Sequence, residues 1–455
     1  MDLSIIILAA GQGTRMRSDL PKVLHPLGGR PLLAHALDTA HRLGAAAIHV
    51  VIGHGADQVR RAFAQSGVHW VIQERQLGTG HAVAQVLPDV ADPRIVLVMY
   101  GDVPLISKAT LEKLVAIADQ GGLAVLTAEL DDPTGYGRIL QDADGRILGI
   151  VEEKDASAEQ RRIREINSGF LAAPAGRLRV WVGALDNSNA QSEFYLTDVV
   201  GLAVRDGVPV RAVHATDPHE ILGVNDRAQL ATLERCFQQR QAQDCLRAGV
   251  TLIDPARFDL RGQLTVGQDV VIDVNVVLEG TVKLGNRVMI GPNVHMRDTS
   301  VGDGVIILAN SVIEDAVIGD GARIGPFTRI RPETVLAAGS HIGNFVEIKK
   351  SQVGEGSKIN HLSYIGDTSV GSHVNIGAGT ITCNYDGAYK HRTVIGDDVF
   401  IGSDTQLVAP VEIGDGATIG AGSTITRDAP AGELTLSRVP QQTRPGWKRP
   451  VKKER

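Results

Sequence analysis

The second half of the chain repeats a pattern of six residues, and this repeat constrains the fold more than any other feature. From about residue 266 onward an aliphatic residue leads each hexad, and a glycine often follows it, as in Ile324-Gly325. The leaders are Val266, Ile272, Leu278, Leu284, Ile290, Val301, Ile307, Ile313, Ile318, Ile324, Ile330, Leu336, Ile342, Ile348, Val353, Ile359, Ile365, Val370, Ile376, Ile395, Ile401, Leu407, Ile413, Ile419 and Ile425. Neither an α-helix nor an alternating strand has a period of six. A fixed repeat of this length predicts a solenoid.

The repeat predicts a triangular coil in which each hexad forms one side and three hexads close one turn. Leaders one coil apart would stack and fill the interior. The 51 glycines and the many Asn and Asp residues would supply corners that need a positive φ angle. Aromatic residues make up only 4% of the chain, as expected of an aliphatic interior. We therefore predict a parallel β-helix of the hexapeptide type over residues 249–455, whose hand the spacing does not give.

The overall composition limits the other possibilities. A chain of 455 residues predicts two or three domains, and a net charge of −6 argues against a general nucleic-acid binder. Three cysteines without metal-ligand spacing predict a reducing compartment and no disulfide framework. Since no segment approaches the roughly 20 apolar residues of a membrane span, we expect a cytoplasmic protein that does not act at a membrane.

The first half of the chain alternates short β-rich runs with helical stretches, which predicts an α/β domain with a mostly parallel sheet over residues 1–225. The predicted strands are Ile5–Ala9, Ile48–Ile52, Trp70–Gln73 and Ile95–Met99, and the predicted helices include Pro31–Leu43 and Ala56–Ala64. A further helix is predicted over residues 226–248, with an apolar stripe at Leu230, Leu233 and Phe237. We interpret it as the connecting arm between two domains.

A glycine loop follows the first predicted strand. Gly11 and Gly13 let the backbone approach a ligand, and their N–H groups can face phosphate oxygens. Arg15 and Lys22 add positive charge where a polyphosphate would lie. The loop lacks the third glycine of a dinucleotide fingerprint, and the glycine pair alone could mark a tight turn. Together with Thr14, Arg15 and Lys22 the pair is far more specific.

Several strings now resemble the sugar-1-phosphate nucleotidyltransferases. They are Leu8–Met16 with Pro21-Lys22, Gln73 with Leu77–Ala82, Tyr100–Leu105, Gly135–Arg138, Ile150–Asp155, Glu165–Gly169 and Gly223–Asn225. Over the whole chain their order and spacing are similar to the bifunctional bacterial N-acetylglucosamine-1-phosphate uridyltransferase/glucosamine-1-phosphate acetyltransferase family. The resemblance implies a Rossmann-like nucleotidyltransferase domain, a connecting helix and a left-handed β-helix.

The resemblance assigns roles in the first domain. Arg15 and Lys22 would be catalytic and hold the triphosphate of UTP. Asp102 and Asn225 would bind Mg²⁺, a hard cation that prefers oxygen ligands. Gln73, Gly78 and Thr79 would recognise uracil, while Gly137, Glu152 and Asn167 would bind N-acetylglucosamine-1-phosphate. The nucleotide and sugar site as a whole would comprise Leu8, Ala9, Ala10, Gly11, Lys22, Gln73, Gly78, Thr79, Tyr100, Gly101, Asp102, Gly137, Glu152, Asn167 and Asn225.

Simpler structural explanations exist for some of these residues. Asp102 could be a turn cap after its strand, and Asn225 could be the N-cap of the following helix. Glu152 and Glu153 could be a solvated acidic pair, since only the resemblance singles out Glu152.

In the second half, residues 381–393 interrupt the hexads, and a long insertion in a rigid solenoid is a candidate binding loop. By resemblance to the hexapeptide acyltransferases, His361 would be the general base. An imidazole titrates near neutral pH and suits that role. Glucosamine-1-phosphate would be bound by Arg331, Lys349, Tyr364 and Asn375. The co-substrate acetyl-CoA would be bound by Ala378, Asn384, Tyr385, Ser403, Ala421 and Arg438.

Alternatives remain open for this half as well. His361 could be a corner histidine that bonds to the backbone, and Lys349 with Lys350 could be surface charge. The β-helix could be a passive scaffold of a single-activity nucleotidyltransferase, or the whole chain a non-enzymatic scaffold like the translation exchange-factor subunits. The set of Arg15, Lys22, Asp102 and Asn225 argues against the last possibility.

The resemblance also implies a homotrimer and a biosynthetic role. In the family the site for acetyl transfer lies between neighbouring prisms, covered by a basic C-terminal arm that here spans residues 444–453. The product would be UDP-N-acetylglucosamine, a precursor of peptidoglycan and lipopolysaccharide. The sequence itself is compatible with trimerisation but does not prove it.

Overall fold

A computed structural model describes residues 2–452. Lys453, the last residue of the predicted basic arm, lies outside this range. The chain forms two compact units, the first ending at Phe237 and the second beginning at Gln238. This boundary falls inside the helix Arg227–Arg247. No helix among the described residues is long and apolar enough to cross a membrane.

The first unit is built on a mixed sheet. Its strands are β1 (Leu3–Ala9), β2 (Ala47–Ile52), β3 (His69–Ile72), β4 (Ile95–Tyr100), β5 (Leu123–Glu129), β6 (Gly137–Gln141), β7 (Ile147–Val151), β8 (Glu165–Pro174) and β9 (Val210–His214). Their order is β9-β5-β8-β4-β1-β2-β3, and β6 pairs with β8 and β7. Along this order four of the six neighbouring pairs are parallel, whereas β8 runs antiparallel to β4 and β5. The added strand β6 is antiparallel to both β8 and β7. The mostly parallel sheet predicted from the sequence is thus confirmed.

Both faces of the central strand are buried, which explains its continuous aliphatic run. Ile5 and Ile7 pack into the apolar cluster on one face, and Ile6 and Leu8 pack into the cluster on the other. Because β1 and β4 are parallel neighbours, their carboxyl ends deliver the glycine loop and the Gly101-Asp102 segment to the same edge of the sheet.

Helices cover this sheet. They are α1 (Leu32–Arg42), α2 (Ala56–Ala62), α3 (Thr79–Ala84), α4 (Lys108–Asp119), α5 (Ala175–Gly183) and α6 (Asp198–Arg205). A longer helix, α7 (Arg227–Arg247), begins in the first unit and ends in the second. Single 3₁₀ turns lie at Thr14–Met16, Lys22–Leu24, Leu87–Asp89, Gln160–Arg162, Pro218–Ile221 and Pro255–Arg257. Two further short strands, Pro26–Leu27 and Arg30–Pro31, form a separate hairpin. The helices predicted near residues 31–43, 56–64 and 226–248 are all present.

The apolar stripe of α7 packs as predicted. Leu233 is buried in a small cluster with Leu27 and Leu32, and Leu230 and Phe237 pack against that cluster. Such a stripe is what anchors a largely polar helix to its unit.

The second unit is a parallel β-helix. One of its sheets contains Thr251–Leu252, Val271–Ile272, Met289–Ile290, Ile306–Ile307, Arg323–Ile324, His341–Asn344, Lys358–His361, Asn375–Ile376, Phe400–Ile401, Thr418–Ile419 and Leu434–Thr435. The other contains Phe258–Val266, Val276–Leu284, His295–Arg297, Ser300–Val301, Val312–Glu314, Ala316–Ile318, Arg329–Ile330, Thr334–Leu336, Glu347–Lys349, Gln352–Val353, Tyr364–Gly366, Thr368–Val370, Ile381–Cys383, Thr393–Ile395, Gln406–Val408, Val411–Ile413 and Thr424–Ile425.

The interior of the β-helix is the stack of leaders that the repeat predicts. Ile342 pairs with Ile359, and Ile359 with Ile376, one coil later in each case. The leaders belong to one continuous buried core, and only Val266, at the start, is half-buried against it. Corner residues such as Asn293 and Asn310 have positive φ angles, as expected where the chain turns tightly.

The predicted interruption at residues 381–393 is wrong at both ends, because Thr393 is a fully buried residue that begins the strand Thr393–Ile395. Ile381–Cys383 is a regular strand, and Thr382 is fully buried and pairs with Leu407 one coil later. Thr382 is therefore a hexad leader that is not aliphatic. Its hydroxyl accepts a hydrogen bond from the Gly366 N–H at 2.8 Å, so the buried oxygen has a partner. The inserted loop begins only at Asn384.

Candidate functional site

The first candidate site is a cavity of about 390 Å³ at the carboxyl edge of the sheet in the first unit. It is lined by Leu8, Ala9, Ala10, Gly11, Lys22, Val23, Gln73, Gln76, Gly78, Thr79, Ala82, Tyr100, Asp102, Glu193 and Asn225. Most residues of the predicted nucleotide site are thus brought together. Gly101 packs closely behind them, since a β-carbon there would lie 3.2 Å from the Ala9 side chain.

Lys22 lies at the charged end of this cavity. Its ammonium group forms an ion pair with Asp102 Oδ2 and donates to Asn225 Oδ1 at 3.4 Å. The loop geometry requires a glycine opposite Lys22, because Gly13 has a φ of 63° and a β-carbon there would lie 2.8 Å from Lys22 Cβ. Gly13 therefore does more than turn the chain, whereas a β-carbon on Gly11 would meet open space.

The contacts of Asp102 and Asn225 with Lys22 indicate whether these two side chains could bind a divalent cation. A carboxylate oxygen and an amide oxygen already converge on one cationic group, and both are ligand types that Mg²⁺ accepts. The alternative role of Asn225 as a helix cap is wrong. Asp226 caps α7, because its Oδ1 accepts from the Gln229 N–H at 2.9 Å.

Gln73 lies at the other end of the cavity. Its Nε2 donates to the Gly78 carbonyl at 3.1 Å and contacts His81 Nδ1 at 3.0 Å. Both contacts involve the amide nitrogen, and Oε1 takes part in neither of them. The Thr79 hydroxyl accepts from the Leu196 N–H at 3.1 Å, which ties the cavity wall to the loop after α5.

The predicted sugar residues lie side by side on neighbouring strands. Asn167 on β8 is the register partner of Gly137 on β6, and a β-carbon on Gly137 would be 3.5 Å from either Glu152 carboxylate oxygen. The open space in front of Glu152 thus depends on this glycine. Burial raises the pKa of Glu152, although a 2.9 Å hydrogen bond from the Thr197 hydroxyl opposes the shift.

Glu152 and Glu153 are not a solvated pair. Glu153 accepts from the buried guanidinium of Arg138 at 2.6 Å, whereas Glu152 accepts from the Thr197 hydroxyl at 2.9 Å. Each carboxylate thus has its own partner, and the two have separate environments.

The second candidate site lies on the β-helix. Asn344 and His361 are register partners in adjacent coils. Backbone hydrogen bonds at the corners identify the equivalent residue in each later coil. We call this set the His361 column: Asn344, His361, Ala378, Ser403 and Ala421. The bonds run from Gly379 N to His361 O, from Asp404 N to Ala378 O and from Gly422 N to Ser403 O. Three of the residues predicted to bind acetyl-CoA therefore form a row that starts at the predicted base.

Arg438 and Asn375 join the same surface. The Arg438 guanidinium donates to the Ala421 carbonyl at 2.9 Å, at the far end of the His361 column. Asn375 is half-buried three positions before Ala378.

The imidazole of His361 does not bond to the backbone, so the corner-histidine explanation is wrong. The ring is exposed, and its Nδ1 contacts the Asn344 side-chain oxygen at 2.7 Å.

Tyr364 and Asn384 form a polar contact on the adjoining face. The Asn384 amide donates to Tyr364 Oη at 3.4 Å and to Asp367 Oδ2 at 2.5 Å. Arg331 pairs with Glu347 at 2.8 Å, and Lys349 is the register partner of Gly366. Four residues predicted to contact substrates, Arg331, Lys349, Tyr364 and Asn384, therefore lie on consecutive coils of one face.

We expect Gly366→Ala to lower acetyl transfer strongly. A β-carbon at this position would lie 2.7 Å from both Asn384 Nδ2 and Tyr364 Cζ, so both side chains must move. We predict a loss of about 10²-fold in acetyl transfer. The control is Gly183→Ala, where a β-carbon meets open space. Full activity of Gly366→Ala would show that the positions of Tyr364 and Asn384 do not matter.

The inserted loop that carries Tyr385 is held by its own contacts. His391 Nε2 contacts Asp386 Oδ2 at 2.6 Å, and Lys390 Nζ lies 5.1 Å from the centre of the Tyr385 ring. Tyr385 itself is exposed and is free to contact a ligand. Burial raises the pKa of the nearby Cys383 thiol, which disfavours a nucleophilic thiolate there.

Comparisons with known proteins agree with this geometry. Residues 5–249 match the family model of a MobA-like NTP transferase domain. Residues 392–427 match the bacterial transferase hexapeptide with six repeats, and residues 260–342 match the GMPPB C-terminal domain.

Three relatives match almost the whole chain, and each is called bifunctional protein GlmU. The one from Alkalilimnicola ehrlichii is 60% identical over 98% of this chain and 96% of its own length. Those from Marinobacter nauticus and Methylococcus capsulatus are 58% identical over 99% of this chain, and 99% and 98% of their own lengths. The chain belongs to the GlmU family. It is a bifunctional enzyme of uridylyl and acetyl transfer, with a nucleotidyltransferase domain and a hexapeptide acyltransferase domain.

Some residues that line the cavity of this GlmU family member were not predicted from the sequence. Val23, Gln76, Ala82 and Glu193 also line the cavity. Gln76 lies between Gln73 and Gly78 in a string that was singled out, so its position was a usable signal. Glu193 belongs to a loop that only the tertiary fold brings to the cavity, and we find no sequence signal for it. Arg15 is exposed on its 3₁₀ turn and does not line the cavity.

Proposed function

We propose that the first unit transfers the uridylyl group of UTP to N-acetylglucosamine-1-phosphate and releases pyrophosphate. The observation that carries this proposal is the convergence of Asp102, Asn225 and Lys22 in the wall of one cavity. An oxygen of the sugar phosphate attacks the α-phosphorus of UTP, and the bond to the β-phosphate oxygen breaks. Two anions meet in this step, so charge neutralisation and alignment supply most of the catalysis.

Asp102 and Asn225 would hold Mg²⁺, which supplies positive charge to the phosphate groups when it is bound. Lys22, packed against Gly13, would contact the same phosphates. Arg15 is exposed and does not line the cavity, so it would have to move toward the triphosphate to add its charge. Gln73 can offer its amide to the uracil edge, with the Gly78 and Thr79 backbone beside it. Glu152 and Asn167 can bond to the sugar through the space that Gly137 leaves open.

The second unit transfers the acetyl group of acetyl-CoA to the 2-amine of glucosamine-1-phosphate. His361 removes a proton from the amine as its nitrogen attacks the thioester carbonyl. The C–N bond forms, the C–S bond breaks, and coenzyme A leaves as a thiol after protonation. Arg331 and Lys349 would bind the sugar phosphate, with Tyr364 and Asn375 beside the sugar. Asn384, Tyr385 and the His361 column up to Arg438 would hold the coenzyme.

A homotrimer would cover an apolar ridge beside His361. Phe327, Phe345 and Leu362 lie on consecutive coils, are each more than half exposed, and have positive φ angles. The two phenylalanine rings stack with centroids 5.5 Å apart. Bulky apolar residues in this conformation are uncommon, and exposed apolar patches mark contact surfaces. Sedimentation analysis in solution tests the trimer, and a stable monomer would contradict it. We also propose a cytoplasmic location, which suits three cysteines that form no disulfide among the described residues.

We expect uridylyl transfer to require a divalent metal ion. The measurement is pyrophosphate release from UTP and N-acetylglucosamine-1-phosphate, with UDP-N-acetylglucosamine identified by mass. Chelation with EDTA should abolish the activity, and added Mg²⁺ should restore it. An undiminished rate in EDTA would contradict the metal role of Asp102 and Asn225.

A further inference from the structure

We propose that Asn344 is a positioning residue that fixes the tautomer and orientation of His361. This inference rests on the proposed role of His361 as the base for acetyl transfer. It starts from the 2.7 Å contact between His361 Nδ1 and Asn344 Oδ1, two side chains 17 positions apart in sequence. The two residues occupy the same position in adjacent coils of the β-helix.

The chemistry of the contact determines which nitrogen of the ring carries the proton. A side-chain carbonyl oxygen has no hydrogen to give, so the bond exists only when His361 Nδ1 carries one. In the neutral imidazole the lone pair then lies on Nε2. Nε2 is the nitrogen that can accept a proton from the substrate amine, and Asn344 keeps it in that state.

The fold holds both partners of this contact. The His361 carbonyl accepts from the Ser363 hydroxyl at 2.9 Å and from the Gly379 N–H at 3.2 Å, so the backbone under the ring cannot shift. Asn344 is half-buried at the end of its strand, and its carbonyl accepts from the Leu362 N–H at 3.1 Å. Gly343 allows the close approach of the two coils, because a β-carbon there would lie 2.7 Å from the Asn360 carbonyl carbon.

Other titratable groups on this face are accounted for. His341 and Lys358 are register partners on the strands that end at Asn344 and His361. Burial lowers the pKa of His341, and the positive charges of Arg323, Lys358 and His361 add to the shift. These positive charges disfavour a further proton on this face of the β-helix. None of the groups contacts His361 Nδ1, so they do not determine which tautomer of His361 is present.

The test compares three variants by the pH profile of acetyl transfer. Asn344→Ala removes the acceptor, and we expect kcat to fall by about 10- to 100-fold. Asn344→Asp keeps an acceptor for Nδ1–H and adds a negative charge that favours the imidazolium. It should therefore restore most of kcat at high pH and move the acid limb of the profile up by about one unit. Asn286→Ala is the matched control, because Asn286 also bonds one coil onward, to Asp303 at 2.9 Å.

The outcomes separate this inference from the proposed function. Thermal unfolding of each variant, followed by circular dichroism, reports whether the β-helix is folded, and uridylyl transfer in the same preparations reports only the first unit. A kcat of Asn344→Ala within about twofold of Asn286→Ala would overturn the inference, as would equal losses in the Ala and Asp variants with an unmoved acid limb. If His361→Ala also kept acetyl transfer, the proposed base itself would fail. If only His361→Ala lost activity, His361 would remain the base without help from Asn344.

Discussion

We expect Asp102→Ala to lower uridylyl transfer by at least about 10²-fold. The substitution removes one of the two oxygen ligands proposed for the metal ion. It also leaves the Lys22 ammonium, whose side chain is only 14% exposed, without its carboxylate partner. Loss of the metal ligand weakens the neutralisation of the reacting phosphates, and loss of the carboxylate removes a contact that positions Lys22. Pyrophosphate release at saturating Mg²⁺ is the measurement.

Two further variants sharpen the Asp102 experiment. Asp102→Asn keeps the shape of the side chain but loses its charge, so it should be nearly as inactive. Asp119→Ala, at the exposed end of α4, is the matched control and should keep full activity. Acetyl transfer by Asp102→Ala should stay within about twofold of wild type. An equal loss of both activities in a folded protein would contradict two separate sites.

We expect His361→Ala to have the opposite effect. Loss of a general base lowers a proton-transfer step by about 10²- to 10⁴-fold, so acetyl transfer should fall by that factor. Uridylyl transfer should not change, because Asp102, Asn225 and Lys22 all lie in the first unit. Thiol release from acetyl-CoA measures the first activity, and pyrophosphate release measures the second.

The matched control for His361 is another exposed histidine of the β-helix. His373→Asn is suitable because His373 has a φ of 56°, and asparagine tolerates this conformation better than alanine. It should keep both activities. Retention of acetyl transfer by His361→Ala, at a rate near that of His373→Asn, would rule out His361 as the base.

The β-helix could be predicted because its signal is local and periodic. Each hexad leader needs only its own neighbours to be recognised, and nearly all of them are buried as expected. Val266, the first leader, is only half-buried. The aliphatic pattern missed one leader, Thr382, which is also fully buried. Its hydroxyl finds a partner in the Gly366 N–H, a contact between coils that the spacing alone does not reveal.

The candidate sites were predictable where short strings carry the ligands. Lys22, Asp102 and Asn225 come from separate strings, yet each follows a strand or precedes a helix that reaches the same edge of the sheet. Asn344 was missed although one coil separates it from His361. The repeat shows that the two residues occupy equivalent positions in adjacent coils. It does not show that the side chain of Asn344 faces the imidazole ring. Glu193 depends on the path of an irregular loop, which no local pattern encodes.

The most direct test of the two-site account is acetyl transfer by the unmodified protein without UTP and with EDTA present. Acetyl-CoA and glucosamine-1-phosphate are supplied, and thiol release is followed. The account predicts full acetyl transfer under these conditions, because the His361 column uses neither the nucleotide nor the metal ion of the first unit. Absence of activity in a folded protein that still forms UDP-N-acetylglucosamine from N-acetylglucosamine-1-phosphate and Mg²⁺-bound UTP would contradict it.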